Sequence, residues 1–295
     1  MQNSLIKQEK KLGYIFSFPI VFLVFIIIGL PSIYTFIISF TNKRIGYSYH
    51  FVGVDNYLRI FKDPTYWLVL RNTFIYTVSC IVLKLVLGFA FAMLLNEKFK
   101  GRGFVRVSML VPWAIPGMVA AHTWRWMYND QYGIINVILK NIGFIDSPIL
   151  WLSDRNIALI SVIIVNIWRG IPFFLFSILG GLQTIDTQLY DAAKVDGANV
   201  VKRFLNVTVP SIAPVLTITT LLSTIWTFND FDNIWLITGG GPLNASSVIS
   251  TYTYSTAFIS NQMGRALAVS ISIIPILVIL LIIANKMIGS NESDR

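Results

Sequence analysis

QTIDTQLYDAAKVDGANVVKRFLNVTVPSIAPV, Gln183 to Val215, contains a polar interval in an otherwise apolar chain. Asp186 is placed to cap a short helix over Thr187 to Lys194, because its carboxylate can accept from amides two or three residues on. Gly197 can end that helix by taking a positive φ, which a residue without Cβ does at little steric cost. A second helix follows, and Pro210 opens the next apolar run. Ala192 and Ala193 leave one flank of the first helix free of bulky side chains, so another protein can approach its backbone closely. Asp191 and Asp196 offer carboxylates to basic groups on such a partner.

To either side of this interval the chain is too apolar for a water-soluble globule. Hydrophobic residues make up 55% and charged residues 13%, against about 25% charged in soluble domains. Six runs with few charges lie at 14–40, 69–95, 104–126, 157–182, 210–237 and 266–288, each near the roughly 20 residues that cross a bilayer core. The expectation is an all-α membrane protein of about six transmembrane helices, a single transmembrane domain over 1–295. Lys7, Lys10 and Lys11 precede the first run as in a signal peptide. That run is too long for one and lacks a small-residue cleavage site, so it reads as a retained span. Cys80 is the only cysteine, which excludes internal disulfides and multi-cysteine metal sites.

The net charge of +9 is laid out as topology rather than as a nucleic-acid surface. Lys7, Lys10, Lys11, Lys98, Lys100, Arg102, Lys194, Lys202, Arg203, Lys286 and Arg295 fall on one side of the runs. Lys43, Arg44, Arg59, Lys62, Lys140 and Arg155 fall on the other. The positive-inside rule then puts both termini and the loop 183–209 in the cytoplasm. Of the outward connections, the second contains YGIINVILKNIG, where Ile134, Ile135, Ile138 and Ile142 predict a short interfacial helix. Trp124, Trp126 and Tyr128 read as an interfacial aromatic belt. Neither G-x-x-x-x-G-K-[ST] nor H-E-x-x-H occurs, so neither ATP hydrolysis nor zinc chemistry is expected of this chain.

The loop resembles the cytoplasmic signature of binding-protein-dependent ABC importer permeases. That signature is an acidic residue, two alanines, a glycine after three more residues, then nine residues to an aliphatic-x-aliphatic-Pro. Here these are Asp191, Ala192, Ala193, Gly197 and Val207-Thr208-Val209-Pro210. FVGVDNYLRIFKD (51–63), LVPWAIPGMVAAHTWRWMYNDQYGIINVIL (110–139), NIWRGIPFFLFSILGGLQTI (166–185) and TGGGPLNASS (238–247) are similar to the carbohydrate-uptake branch, the relatives of the maltose, oligosaccharide and glycerol-phosphate systems. The resemblance implies a core of six spans in a prokaryotic inner or plasma membrane. It implies a homologous second permease, an extracytoplasmic solute-binding protein, and two ATPase subunits that bind ATP and Mg, with no cofactor and no nucleic acid on this chain. It also implies that the helix carrying Asp191, Ala192, Ala193, Asp196 and Gly197 is the coupling helix that sits in a cleft of the ATPase. Asp191 stands where the family usually has Glu, so its ion pair to the ATPase would be looser.

A sugar path needs hydrogen-bonding groups and aromatic faces on a water-filled cavity. Asn166, Arg169, Gly170 and Phe173 share one face of the fourth run, and Ser223, Trp226 and Thr227 one face of the fifth, with Asn229 and Asp230 just beyond. Aligned through the loop, these stripes resemble the positions at which maltose-type permeases hold their sugar. Asn166, Gly170 and Ser223 keep that pattern, whereas Arg169, Trp226 and Thr227 depart from it. A guanidinium can bind a carboxylate or phosphate in a bidentate manner, which raises an acidic or phosphorylated sugar as substrate. Alternatively, Arg169 pairs with Asp230 or Asp232 as a gate or structural ion pair. Lys84, near the middle of the second run, poses the same question, and His122 reads as a packed, hydrogen-bonded histidine. An ion-coupled transporter or channel relaying through Lys84, Arg169 and Asp230 would explain the charges but not the loop.

Overall fold

The computed structural model describes the backbone of residues 2–293 and the side chains of 12–279. The first elements are α1 (Gln2–Val24), α2 (Leu30–Ser39), α3 (Asp55–Lys62) and α4 (Pro64–Asn96). They are followed by α5 (Arg102–Ala114), α6 (Gly117–Met127), α7 (Ile134–Asn141), α8 (Ala158–Leu182) and α9 (Thr187–Val195). The remainder is α10 (Val200–Arg203), α11 (Val209–Phe228), α12 (Asp232–Thr238), α13 (Ile249–Tyr254) and α14 (Met263–Ser293). Wide π turns at Phe25–Gly29 and Phe204–Thr208 join α1 to α2 and α10 to α11 into longer rods. Among the described residues there is no strand, only an isolated bridge between Thr41 and Phe51.

Among the described residues, four helices are long and apolar enough to cross a bilayer: Leu12–Ser39, Pro64–Asn96, Ala158–Leu182 and Val200–Phe228. The expected third span is not one straight helix, because α5 and α6 meet at 92°. Pro116 explains the break: its ring bars the preceding residue from helical geometry, and Ile115 is extended at ψ 129°. The fifth span starts ten residues before the expected Pro210, because Asn199 caps it by accepting from the Lys202 amide at 2.9 Å. It ends at Phe228, where the Asn229 side chain donates back to the Ile225 carbonyl, and the expected stretch to 237 becomes the separate α12. The sixth expected span, 266–288, falls on α14, whose apolar segment Met263–Ile279 is described; the side chains beyond it lie outside the described residues.

The chain divides into two compact units. In the one that combines residues up to Lys62 with Thr253–Ile273, Asn56 donates to the carbonyls of Ser39 and Thr41, both at 2.8 Å, and fastens α3 beneath the end of α2. The helix Leu12–Ser39 turns bulky apolar side chains outward along its length, as a lipid-facing span does.

The other unit is built on Asp63–Tyr252, and α4 packed along α8 is its spine. Gly88 makes that contact close: a Cβ there would collide with Phe174 and lie 3.2 Å from the Leu175 backbone nitrogen. Ala92, Leu95, Phe174, Leu175, Ile178 and Ile212 fill one end of this unit, and Tyr76, Cys80, Val162, Val165, Ile234 and Ile237 the other. α7 forms where the isoleucine spacing predicts it, and Asn136 fixes its inner face by accepting from Trp151 Nε1 at 2.9 Å. The expected aromatic belt is corrected. Tyr128 is buried against Trp151, Trp124 packs on Trp168, and only Trp126 of the three is exposed. His122 is likewise exposed on α6 rather than packed.

Asn72, buried on α4, donates to the carbonyls of Asn244, Ala245 and Ser247 at 3.0–3.2 Å and so holds the glycine-rich loop after α12. Removing that donor leaves carbonyls without a partner, at a cost of about 1–3 kcal/mol. Asn72→Ala is therefore expected to speed protease cleavage within residues 239–247. An unchanged cleavage rate would show that the loop is held by other means.

Candidate functional site

The loop between the fourth and fifth spans folds as its residues indicate. Asp186 caps α9 by accepting from the Gln188 amide at 2.9 Å, and Gly197 ends it at φ +74°. Asp191, Ala192, Asp196 and Gly197 are exposed and Ala193 is half-buried, so one flank of α9 is open. Asp191 makes an ion pair with Lys194 at 2.8 Å between two largely exposed side chains. Such a pair contributes little and exchanges partners readily. Tyr190 OH meets Thr208 Oγ1 at 2.9 Å, tying α9 to the π turn in the first third of the fifth span.

The second site is a cavity of about 180 Å³ lined by α4, α5, α8 and α11. The spans bring Asn166, Arg169, Gly170, Phe173, Ser223, Trp226, Thr227 and Asp230 to one wall system, and add Lys84 and Trp113. Asn229 is left out of it, with its side chain turned back to its own helix. Asp232 is exposed in the first turn of α12. The rings of Phe173 and Trp226 lie 5.1 Å apart at 56° and form an aromatic corner.

Gly170 is small for a local reason. A Cβ there would collide with the side chain of Lys84, which crosses α8 at this point and donates to Thr227 Oγ1 at 3.0 Å. Asp230 Oδ2 accepts from Tyr76 OH at 2.6 Å and from Asn166 Nδ2 at 2.7 Å. Asn233 supports the pair by donating to Tyr76 OH at 2.9 Å and to the Val162 carbonyl. Ser250 Oγ donates to the Asp230 backbone carbonyl at 2.7 Å, which fixes the turn that presents the carboxylate.

The expected ion pair between Arg169 and Asp230 or Asp232 is not formed. Asp230 is engaged by the two neutral donors, and Arg169 Nε is buried with no hydrogen-bond partner. The guanidinium instead lies against Gly117, 3.0–3.1 Å from where a Cβ would stand. Tyr76, Asn233 and Ser250 were not anticipated. A signal for the first was available: Asn72, Thr73, Tyr76, Thr77, Cys80 and Lys84 form a buried, largely polar stripe at helical spacing along α4.

Apolar spans bordering a small polar cavity, with a short exposed helix on the loop between two of them, are the features of a membrane transport subunit. The chain belongs to the family of binding-protein-dependent transport system inner membrane components, the multi-pass permeases of ABC importers, whose sequence profile matches residues 84–287. It is 38% identical over 250 residues to the trehalose/maltose transport system permease protein MalF of Thermococcus litoralis, covering 84% of each chain. It is 32% identical to the sulfoquinovosyl glycerol transport system permease protein SmoG of Agrobacterium fabrum, covering 88% of this chain and 85% of that one. A bacterial ABC transporter involved in import of the acidic polysaccharide alginate has the same fold, with a TM-score of 0.81 at 21% identity over 98% of this chain and 99% of that chain.

Proposed function

We propose that this permease carries a sugar or sugar derivative, working with a homologous second permease, two ATPase subunits that bind ATP and Mg, and an extracytoplasmic binding protein. The observation that carries the reading is the cavity on which Asn166, Gly170, Phe173, Ser223, Trp226 and Thr227 converge. Hydroxyl, amide and aromatic groups together are what a sugar ring needs. The relatives named for trehalose/maltose and sulfoquinovosyl glycerol support the substrate class. α9 supports the coupling, with its open alanine flank and a residue tie to the span that reaches the cavity. Positive charge gathered on its side of the spans supports a cytoplasmic position for that loop and for both termini.

ATP-dependence of uptake is the test. Vesicles holding the complete system are expected to accumulate substrate only with ATP inside and binding protein outside. Accumulation driven by an ion gradient alone would replace this reading with an ion-coupled carrier using Lys84, Arg169 and Asp230.

A further inference from the structure

We propose that the saccharide passing this cavity bears a single negative charge, a carboxylate or sulfonate held between Lys84 and Arg169. The proposal rests on the importer reading and adds to it the charge of the substrate. Lys84 is 4% exposed and its ammonium has Thr227 Oγ1 as its hydrogen-bond partner. Arg169 has its Nε buried and unpartnered. Among the described residues no carboxylate lies within 4.0 Å of either cation. Asp230 is the acidic group on the cavity, and Tyr76 and Asn166 already occupy its Oδ2.

The cavity therefore holds two cations against one engaged anion. A third positive contribution comes from α6: the Arg169 guanidinium lies against Gly117, its first residue, and Pro116 supplies no capping side chain. The N-terminus of a helix carries positive partial charge, so a guanidinium there is repelled rather than held. Lys84 is buried and Arg169 half-buried with its Nε out of solvent, and withdrawing a cation from water without a counter-charge is costly. One acid group between Lys84 and Arg169 would remove that cost, with bidentate geometry available from Arg169. A neutral sugar would leave the guanidinium unmatched, and a dianion would exceed the surplus. Phe173 and Trp226 offer aromatic faces to the sugar ring that carries the acid.

The experiment uses the complete complex of this chain with its co-encoded subunits in nanodiscs, titrated with glucuronate and with glucose while tryptophan fluorescence is followed. Trp226 and Trp113 both line the cavity, so both report occupancy. Glucuronate is expected to act at concentrations at least about tenfold lower than glucose, the scale of one charge-assisted hydrogen bond. Arg169→Gln and Lys84→Met should each erase that advantage, and Arg169→Lys should retain most of it. Trp226→Phe should diminish the signal, placing it at the cavity. Equal response to both sugars, no response to glucuronate, or an advantage that survives in Arg169→Gln and Lys84→Met would overturn the proposal. The wild-type comparison decides even where a variant fails to assemble. Because binding is read without ATP, loss of ATP-driven uptake with glucuronate binding intact would sink the importer reading alone.

Discussion

Ala193→Trp and Gly197→Pro are each expected to bring ATP-driven uptake to background while leaving the chain inserted in the membrane. Gly197 sits at φ +74°, which proline cannot adopt, so the turn after α9 must rebuild. The strain is of the size that proline brings to a regular element, on the order of a hundredfold in an equilibrium. At Ala193, half-buried on α9, the mechanism differs: an indole standing over that flank blocks close approach of a partner. The two variants thus reach the same loss by separate routes, one through shape and one through a surface. Uptake assayed beside membrane-inserted protein checks both, and normal uptake in either would remove the docking role of α9.

Gly88→Val is expected to lower the midpoint of thermal unfolding markedly, by an overpacking cost of about 3 kcal/mol. The added side chain meets Phe174 and the backbone of Leu175, and backbone does not swing aside as a side-chain tip does. Gly180→Val on α8 is the matched control, since a Cβ there meets nothing within 4 Å. The expected result in detergent is a clear loss for the first and little change for the second. Equal midpoints would mean that α4 and α8 do not approach at Gly88.

What could be read in advance followed from local rules. The cap at Asp186, the stop at Gly197 and the isoleucine spacing of α7 each depend on a few neighbouring residues. So did the grouping of Asn166, Arg169, Gly170 and Phe173, because one helix face is fixed by periodicity alone. That Pro116 bends its span is legible from the missing amide donor; that the bend reaches a right angle is not, since an apolar window averages across a break and shows only that the stretch is apolar. The partner of Asp230 differs from the expected one for another reason. Charge complementarity pointed to Arg169, but Tyr76 and Asn233 from α4 and α12 reach that neighbourhood first, and a neutral network satisfies the carboxylate. Residue type alone points Trp124 and Tyr128 to the membrane interface, whereas packing against Trp168 and Trp151 decides their place.

The hydrogen bond between Tyr190 and Thr208 joins α9 to the first third of the continuous helix Val200–Phe228, and Thr227 on the cavity lies at its far end. Nineteen residues of helix separate Thr208 from Thr227, roughly 28 Å at 1.5 Å per residue. Such a rod is a lever: a tilt of about 10° at the Thr208 end swings Thr227 through roughly 5 Å at that helical rise. That sweep is wider than a hydrogen bond is long, so a tilt of this size would part Thr227 from Lys84.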